Sequence, residues 1–134
     1  MLVAACAVAL MSLGGCAASS ATDLPVTIGQ LDVDSLVVTV DATGDLALTA
    51  AVTNTSGVDR AFTVRWIAEG QTFEQSRLVP ARSAQLISVD DAILLVGVDA
   101  EVGDLVTLTL VEGFFSRSDE SAHDVIVNVT AHGD

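Results

Sequence analysis

Lysine and tyrosine are absent from this sequence, and its two cysteines and two methionines all lie within the first 16 residues. Acidic residues outnumber basic ones, 18 Asp and Glu against five Arg, and the net charge is −13. A surface this negative repels phosphate backbones, so a nucleic-acid partner is not expected. It also repels anionic lipid head groups, so we expect the folded domain to stand off a bilayer.

The absence of lysine beside five arginines is typical of a GC-rich genome, because lysine codons are AT-rich. A high-GC actinobacterium is the first expectation for the source, and a halophilic archaeon is the second, because its proteins are also acidic and poor in lysine. Apolar residues make up 51% of the 134 residues. This composition argues against a disordered chain, and the length suits one domain with its own core.

The beginning of the chain has the pattern of a secretion signal. Residues 2–13 form an uncharged apolar stretch, which is too short to span a bilayer as a helix of about 20 residues. The residues that follow, Leu13, Gly14, Gly15 and Cys16, resemble a bacterial lipobox. This resemblance implies cleavage before Cys16, a diacylglyceryl thioether on its sulfur, and anchoring by acyl chains such as palmitate. The alternative is an uncleaved apolar N-terminus on a soluble protein.

Three segments follow from this interpretation: a lipoprotein signal peptide at 1–15, a lipidated N-terminus and tether at 16–25, and one domain at 26–134. No Lys or Arg precedes the apolar stretch, which leaves open whether the natural start codon lies upstream of Met1. Removal of the signal and lipidation of Cys16 would leave the domain with no free thiol, no disulfide and no methionine. We therefore expect packing alone to stabilise it, on the extracytoplasmic face of the cell membrane.

From Val26 onward, apolar residues recur at every second position, which is the period of a half-buried β-strand. Val and Thr dominate these runs, and β-branched residues favour strands. Gly, Pro, Asn and Asp separate the runs at short intervals, as at 41–45, 54–57, 80–83 and 103–104. The predicted fold is therefore all-β, an antiparallel immunoglobulin-like β-sandwich of about seven strands. The inward series are Leu46, Leu48, Ala50 and Val52; Phe62, Val64 and Trp66; Val106, Leu108 and Leu110; and Val125, Val127 and Val129.

Three segments carry a further resemblance: LTAAVTNT at 48–55, VPARS at 79–83 and GDLVTL at 103–108. In this order they resemble small actinobacterial envelope lipoproteins related to the periplasmic copper-chaperone family. The resemblance implies an immunoglobulin-like or cupredoxin-like sandwich over most of residues 28–130. It also implies copper binding, which in that family uses His and Met side chains.

The sequence departs from the family in its metal ligands. After cleavage no Met remains, and the only histidines are His123 and His132. Imidazole and thioether ligands select copper, so the required set cannot be assembled and no metal site is predicted. His123 is in phase with Val125 and reads as a hydrogen-bonded or capping residue at a strand end, whereas His132 belongs to a polar tail.

Other chemistry is not indicated either. Asp32 and Asp34 would share one face of a strand, and the pairs at 90–91 and 119–120 read as turn residues, but no calcium-loop motif occurs. His123 and Asp124 are adjacent and would face opposite sides of a strand, so they cannot form a catalytic dyad. We therefore predict that the protein is not an enzyme and uses no cofactor.

The segment Gly113–Arg117 is the candidate for partner contact. Phe114 and Phe115 lie beside a predicted hairpin tip at 116–121, and an exposed ring beside Arg117 would suit a protein interface. The alternative, favoured by burial statistics, is a bulge at Gly113 with both rings covering an open end of the sandwich. Trp66 is predicted to be a core residue.

The resulting hypothesis is a lipid-anchored, non-enzymatic interaction module of the cell envelope. It would attach to the membrane through Cys16 and bind an envelope protein partner. The alternative hypothesis is a copper-handling accessory of the envelope, which rests on the family resemblance. A tightly bound stoichiometric metal ion would favour the alternative.

Overall fold

The computed structural model describes residues 21–41, 43–113 and 121–131. These residues form nine strands and one short 3₁₀ turn, Val89–Asp91. No helix in this part of the chain is long and apolar enough to cross a membrane. The strands are β1 Val26–Ile28, β2 Leu31–Val40, β3 Leu46–Asn54, β4 Arg60–Ala68, β5 Gln71–Val79, β6 Ser83–Ile87, β7 Ile93–Leu94, β8 Leu105–Gly113 and β9 Ser121–Ala131.

All nine strands belong to one curled, mixed sheet of order β5-β4-β8-β9-β2-β3-β6, with β1 paired to β2 and β7 to β3. The long strand β9 makes this curl possible. Its first part pairs antiparallel with β8, from Ser121 to Asn128, and its last three residues pair parallel with β2, at Val38 to Val40. One strand therefore joins two halves of the sheet, which fold toward each other around the core.

The predicted all-β class is confirmed, but the prediction of a strictly antiparallel sandwich of about seven strands is wrong in two respects. The pair of β2 and β9 is parallel, and two additional short strands, β1 and β7, extend the sheet. Alternation of apolar residues indicates which face of a strand is buried but not the direction of its neighbour. Very short strands also carry too few residues to show a period.

The predicted inward series are confirmed as the core. Phe62, Val64 and Trp66 of β4 are all buried, and so are the inward residues of β3, β8 and β9. Trp66 stacks on Phe73 with ring centroids 5.8 Å apart, and its Nε1 donates a hydrogen bond to the carbonyl of Val96 at 2.9 Å. The indole is therefore both a core residue and the anchor of the segment that follows β7.

The turn at 41–45 confirms its predicted chemistry. Asp41 Oδ1 accepts hydrogen bonds from the Thr43 hydroxyl at 2.6 Å and from the amides of Thr43 and Asp45, both at 2.9 Å. The Thr43 hydroxyl is the largest cause that lowers the pKa of Asp41 below its usual 3.8. Gly44 supplies the positive φ of 90° that the turn needs, and Gly103 does the same at 98° in the predicted turn at 103–104.

Strand register places the loops at two ends of the curled sheet. The end of β2, the end of β9, the start of β8 and the end of β4 all lie at the same end of the sheet. The pairings that show this are Val40 with Leu46, Ala131 with Val40, Asn128 with Leu105 and Ala68 with Gln71. Loops 41–45, 69–70 and 95–104 therefore lie together at this end. We call this the acidic end, because it carries Asp41, Asp45, Glu69, Asp99, Glu101 and Asp104. Loops 29–30, 55–59 and 80–82 lie at the opposite end.

Candidate functional site

Most of the predicted site residues lie outside the part of the chain that the structure describes. These are the lipobox residues Leu13, Gly14 and Gly15, the lipidation site Cys16, the predicted contact residues Phe114, Phe115 and Arg117, and His132. The assignments to lipidation and to partner contact therefore stay predictions.

His123 lies near the start of β9 and is exposed, although it is in phase with the buried Val125. It pairs across strands with Leu110 and shares the inward phase of Val125. Asp124 faces the other side of the strand, where its Oδ1 accepts a hydrogen bond from the Thr109 hydroxyl at 2.7 Å. The structure thus keeps His123 and Asp124 apart, as the sequence predicts.

The predicted acidic residues at 32, 34, 90 and 91 lie at the surface, and the pair at 119–120 lies outside the described residues. Asp32 and Asp34 share the outer side of β2, and Asp32 accepts a hydrogen bond from the Thr27 hydroxyl at 2.9 Å. Asp90 and Asp91 lie in the 3₁₀ turn. Across residues 21–41, 43–113 and 121–131, no three His, Cys, Asp or Glu side chains come together in a way that could hold a metal ion.

Sequence reasoning missed a buried ion pair at the opposite end. Glu112 of β8 is only 3% exposed, and its Oε2 lies 2.9 Å from Nη1 of Arg60 in β4. The same oxygen accepts a hydrogen bond from the amide of Gln30 at 3.3 Å. A Cβ placed on Gly29 would lie 2.6 Å from Glu112 Oε1, so only glycine leaves room for this carboxylate. The pair connects the β4–β8 half of the sheet to the β1–β2 loop.

One sequence signal could have revealed Glu112. Glu112 follows Leu108 and Leu110 at the same two-residue spacing, so its side chain is expected on the same inward face of β8. Asn54 gives the same signal at the end of the inward series of β3, and it is also buried. A polar residue in phase with a buried series predicts a partner, because a buried polar group without one is costly.

The described residues form an open groove of about 660 Å³. It lies between the outer side of β4, β8 and β9 and the segment 98–104. Polar side chains also line the groove: Arg65, which binds Glu74 at 2.6 Å, lies opposite Thr109 of β8, and Thr109 lies opposite Asp124 of β9. Its apolar lining comes from Trp66, Ile67, Val98, Ala100, Leu105 and Val106.

Comparisons with known proteins give a likeness of fold and no family assignment. No protein-family model matches the chain, and no curated protein matches it. Among solved structures, a copper-bound PCuAC domain from PmoF2 is similar, with a TM-score of 0.58 and 14% identity over 81% of this chain and 99% of that chain. The apo PCuAC domain from PmoF1 has a TM-score of 0.56 and 16% identity, with 81% and 99% covered. The apo PmoF2 domain has a TM-score of 0.58 and 12% identity, with 83% and 98% covered.

Copper does not fit the side chains of the described residues. Copper selects thiolate, thioether and imidazole ligands, and the described residues include one such donor, His123. His123 lies opposite Leu110 of β8, and Glu112 is two residues further along that strand. The Glu112 carboxylate is already paired with the Arg60 guanidinium. The adjacent guanidinium would also repel a metal cation. The fold resembles a copper-binding domain, but the described part of this chain does not supply a copper centre.

Proposed function

We propose that this protein is a non-enzymatic accessory of copper handling in the cell envelope, which acts by binding a partner protein rather than by holding the metal alone. The observation that carries this proposal is the similarity of fold to PCuAC domains over about four-fifths of the chain, one of them with copper bound. The resemblance of the segments at 48–55, 79–83 and 103–108 to the copper-chaperone family points in the same direction.

The proposed role takes into account that the described residues include one soft metal ligand, His123. A chaperone that carries copper needs a complete soft-ligand set, whereas an accessory needs only a surface that a copper-carrying partner recognises. His123 is exposed at a strand end and could add at most one ligand to a site built mainly by the partner. The second candidate is an interaction module unrelated to metal, which the open groove beside Trp66 would equally serve.

Titration with Cu(I) tests the metal part of the proposal. The chain from residue 17 onward should show no copper ion bound at unit stoichiometry in native mass spectrometry once a Cu(I) chelator is present. The physical reason is that two imidazoles, those of His123 and His132, and scattered carboxylates cannot compete with a soft chelator. The variant His123→Ala should behave as the unchanged protein does. One copper ion retained against the chelator, and lost in His123→Ala, would overturn this prediction.

The copper-handling role itself needs a partner experiment. Cross-linking in intact envelopes should capture a protein that contains copper after purification, and a strain without this chain should tolerate less copper. If the captured partners contain no copper and copper tolerance is unchanged, the second candidate replaces the first.

We also propose membrane attachment through a lipid on Cys16, for which the lipobox-like residues Leu13, Gly14 and Gly15 are the support. Intact mass spectrometry of the protein extracted from membranes should show the loss of residues 1–15 and the gain of a diacylglyceryl group. The variant Cys16→Ser should appear without the lipid mass. An unmodified full-length mass from membranes would contradict the anchor.

A further inference from the structure

The groove beside Trp66 combines exposed aliphatic residues with three carboxylates, those of Asp99, Asp104 and Asp124, which we call its acidic rim. Ile67 and Leu105 are 74% and 41% exposed, so the groove presents aliphatic surface to solvent. Asp99, Asp104 and Asp124 are all exposed and stand around it. Glu74 offsets the charge of Arg65, the one basic residue in the lining, at 2.6 Å. The groove therefore presents exposed aliphatic side chains together with exposed carboxylates.

Charge is distributed unevenly over the molecule. The four arginines in the described residues are Arg60, Arg65, Arg77 and Arg82, and all of them lie between the start of β4 and the start of β6. The six carboxylates of the acidic end have no basic residue within loops 41–45, 69–70 and 95–104. The groove opens beside this end, so the field at its mouth favours cations.

We infer that the groove docks a basic and apolar, extended segment of a partner protein, with lysine or arginine side chains at its rim and aliphatic side chains on Ile67 and Leu105. Charge complementarity selects this occupant. A second copy of the chain would bring another net charge of −13 to an acidic surface, and a nucleic acid would bring phosphates. A volume of about 660 Å³ fits several side chains of a peptide.

A bare metal ion is a poorer occupant of the groove than a peptide. Asp99, Asp104 and Asp124 are not gathered into a set that could coordinate one ion, since no such group of three exists among the described residues. Two of these carboxylates are already positioned by protein contacts. Asp104 Oδ2 accepts a hydrogen bond from the amide of Glu101 at 2.8 Å, and Asp124 Oδ1 accepts one from Thr109 at 2.7 Å. Each of the two therefore has one oxygen already engaged by the protein, which suits a single ion pair with a basic side chain better than coordination of a shared ion.

The inference rests on the proposed function for the identity of the partner, but its test needs no copper. The probe is a short peptide of alternating lysine and leucine, and the control probe alternates glutamate and leucine. Trp66, the sole tryptophan of the chain, is buried next to the groove, so its emission serves as a preliminary readout. Amide chemical shifts from NMR locate the site independently of the indole.

The lysine–leucine peptide should change Trp66 emission and shift amides of the groove. The triple variant Asp99→Asn, Asp104→Asn, Asp124→Asn should weaken binding about tenfold, because each exposed charge contributes modestly. Asparagine keeps the hydrogen-bond acceptors that position the rim. The matched control Asp23→Asn, Asp32→Asn, Asp34→Asn removes the same charge outside the groove and should change binding by less than about twofold. The variant Ile67→Ser should also weaken binding.

Four results would overturn the inference: no binding of the lysine–leucine peptide, equal binding of the glutamate–leucine peptide, equal weakening by the control triple variant, or shifts confined to another surface. Each would remove the groove as a docking site for a basic segment. None would bear on copper, because the Cu(I) titration and the partner experiment test that role separately.

Discussion

The variant Glu112→Ala should lower the free energy of unfolding by about 3 kcal/mol. It removes the carboxylate that pairs with the Arg60 guanidinium and that also accepts a hydrogen bond from the Gln30 amide. Breaking a buried pair from one side costs about 3–5 kcal/mol, and we take the low end because the Arg60 side chain is 22% exposed. Urea unfolding at neutral pH, followed by Trp66 fluorescence and circular dichroism, measures the change.

A double variant separates the cost of leaving one buried charge behind from the contribution of the ion pair itself. Arg60→Met together with Glu112→Leu removes both charges at once, and this variant should recover much of the stability lost in Glu112→Ala. Glu74→Ala breaks the exposed pair with Arg65 and should cost less than about 1 kcal/mol. If Glu112→Ala cost no more than Glu74→Ala, the ion pair would not stabilise the fold.

Strand alternation made the core predictable. Leu46, Leu48, Ala50 and Val52 alternate with less buried residues as the sequence indicates, and β4, β8 and β9 behave in the same way. The period is a local property, because successive side chains of a strand point to opposite faces. The turn at 41–45 was predictable for the same reason, since Asp41, Thr43, Gly44 and Asp45 interact with one another.

Contacts between distant segments could not be read in this way. The parallel pairing of Val129 with Val38 joins residues far apart in the sequence, and nothing in either strand marks its direction. Arg60 and Glu112 meet only because β4 pairs with β8, where Phe62 lies opposite Glu112. The groove likewise depends on how the segment 98–104 lies against β4 and β8, which the residues of that segment do not indicate by themselves.

The fold and the donor set support different parts of the functional proposal. A similarity of fold at 12–16% identity indicates a similar course of the backbone, but it does not indicate that the metal-binding side chains are shared. At the opposite end of the sheet, the inward series of β8 closes with Glu112 in an ion pair, and that of β3 closes with Asn54 in a hydrogen-bond network. Both side chains are buried at this end of the core, and both are already engaged by protein partners rather than available to a metal ion. This arrangement is why our proposal gives the protein a role beside a copper-carrying partner and not that of a carrier itself.

The variant Asn54→Ala should also lower the free energy of unfolding by about 3 kcal/mol. Asn54 Nδ2 donates to the carbonyls of Val58 at 2.8 Å and Val79 at 3.0 Å, and Oδ1 accepts from the amide and the hydroxyl of Ser56 at 2.9 Å and 2.8 Å. Alanine removes all four bonds and leaves the Val79 carbonyl buried without this donor. Each buried polar group that loses its partner costs about 1–3 kcal/mol.

The controls for Asn54 use residues of the same type and the same network. Asn128→Ala alters an exposed asparagine of β9 and should change stability by less than about 0.5 kcal/mol. Ser56→Ala removes a hydroxyl but keeps both bonds from Asn54 Nδ2, so its cost should be about 1 kcal/mol. A loss in Asn54→Ala no larger than that in Asn128→Ala would contradict the prediction. A large loss would mean that one amide at the end of β3 holds the last residue of β5, and so fastens the two halves of the curled sheet to each other.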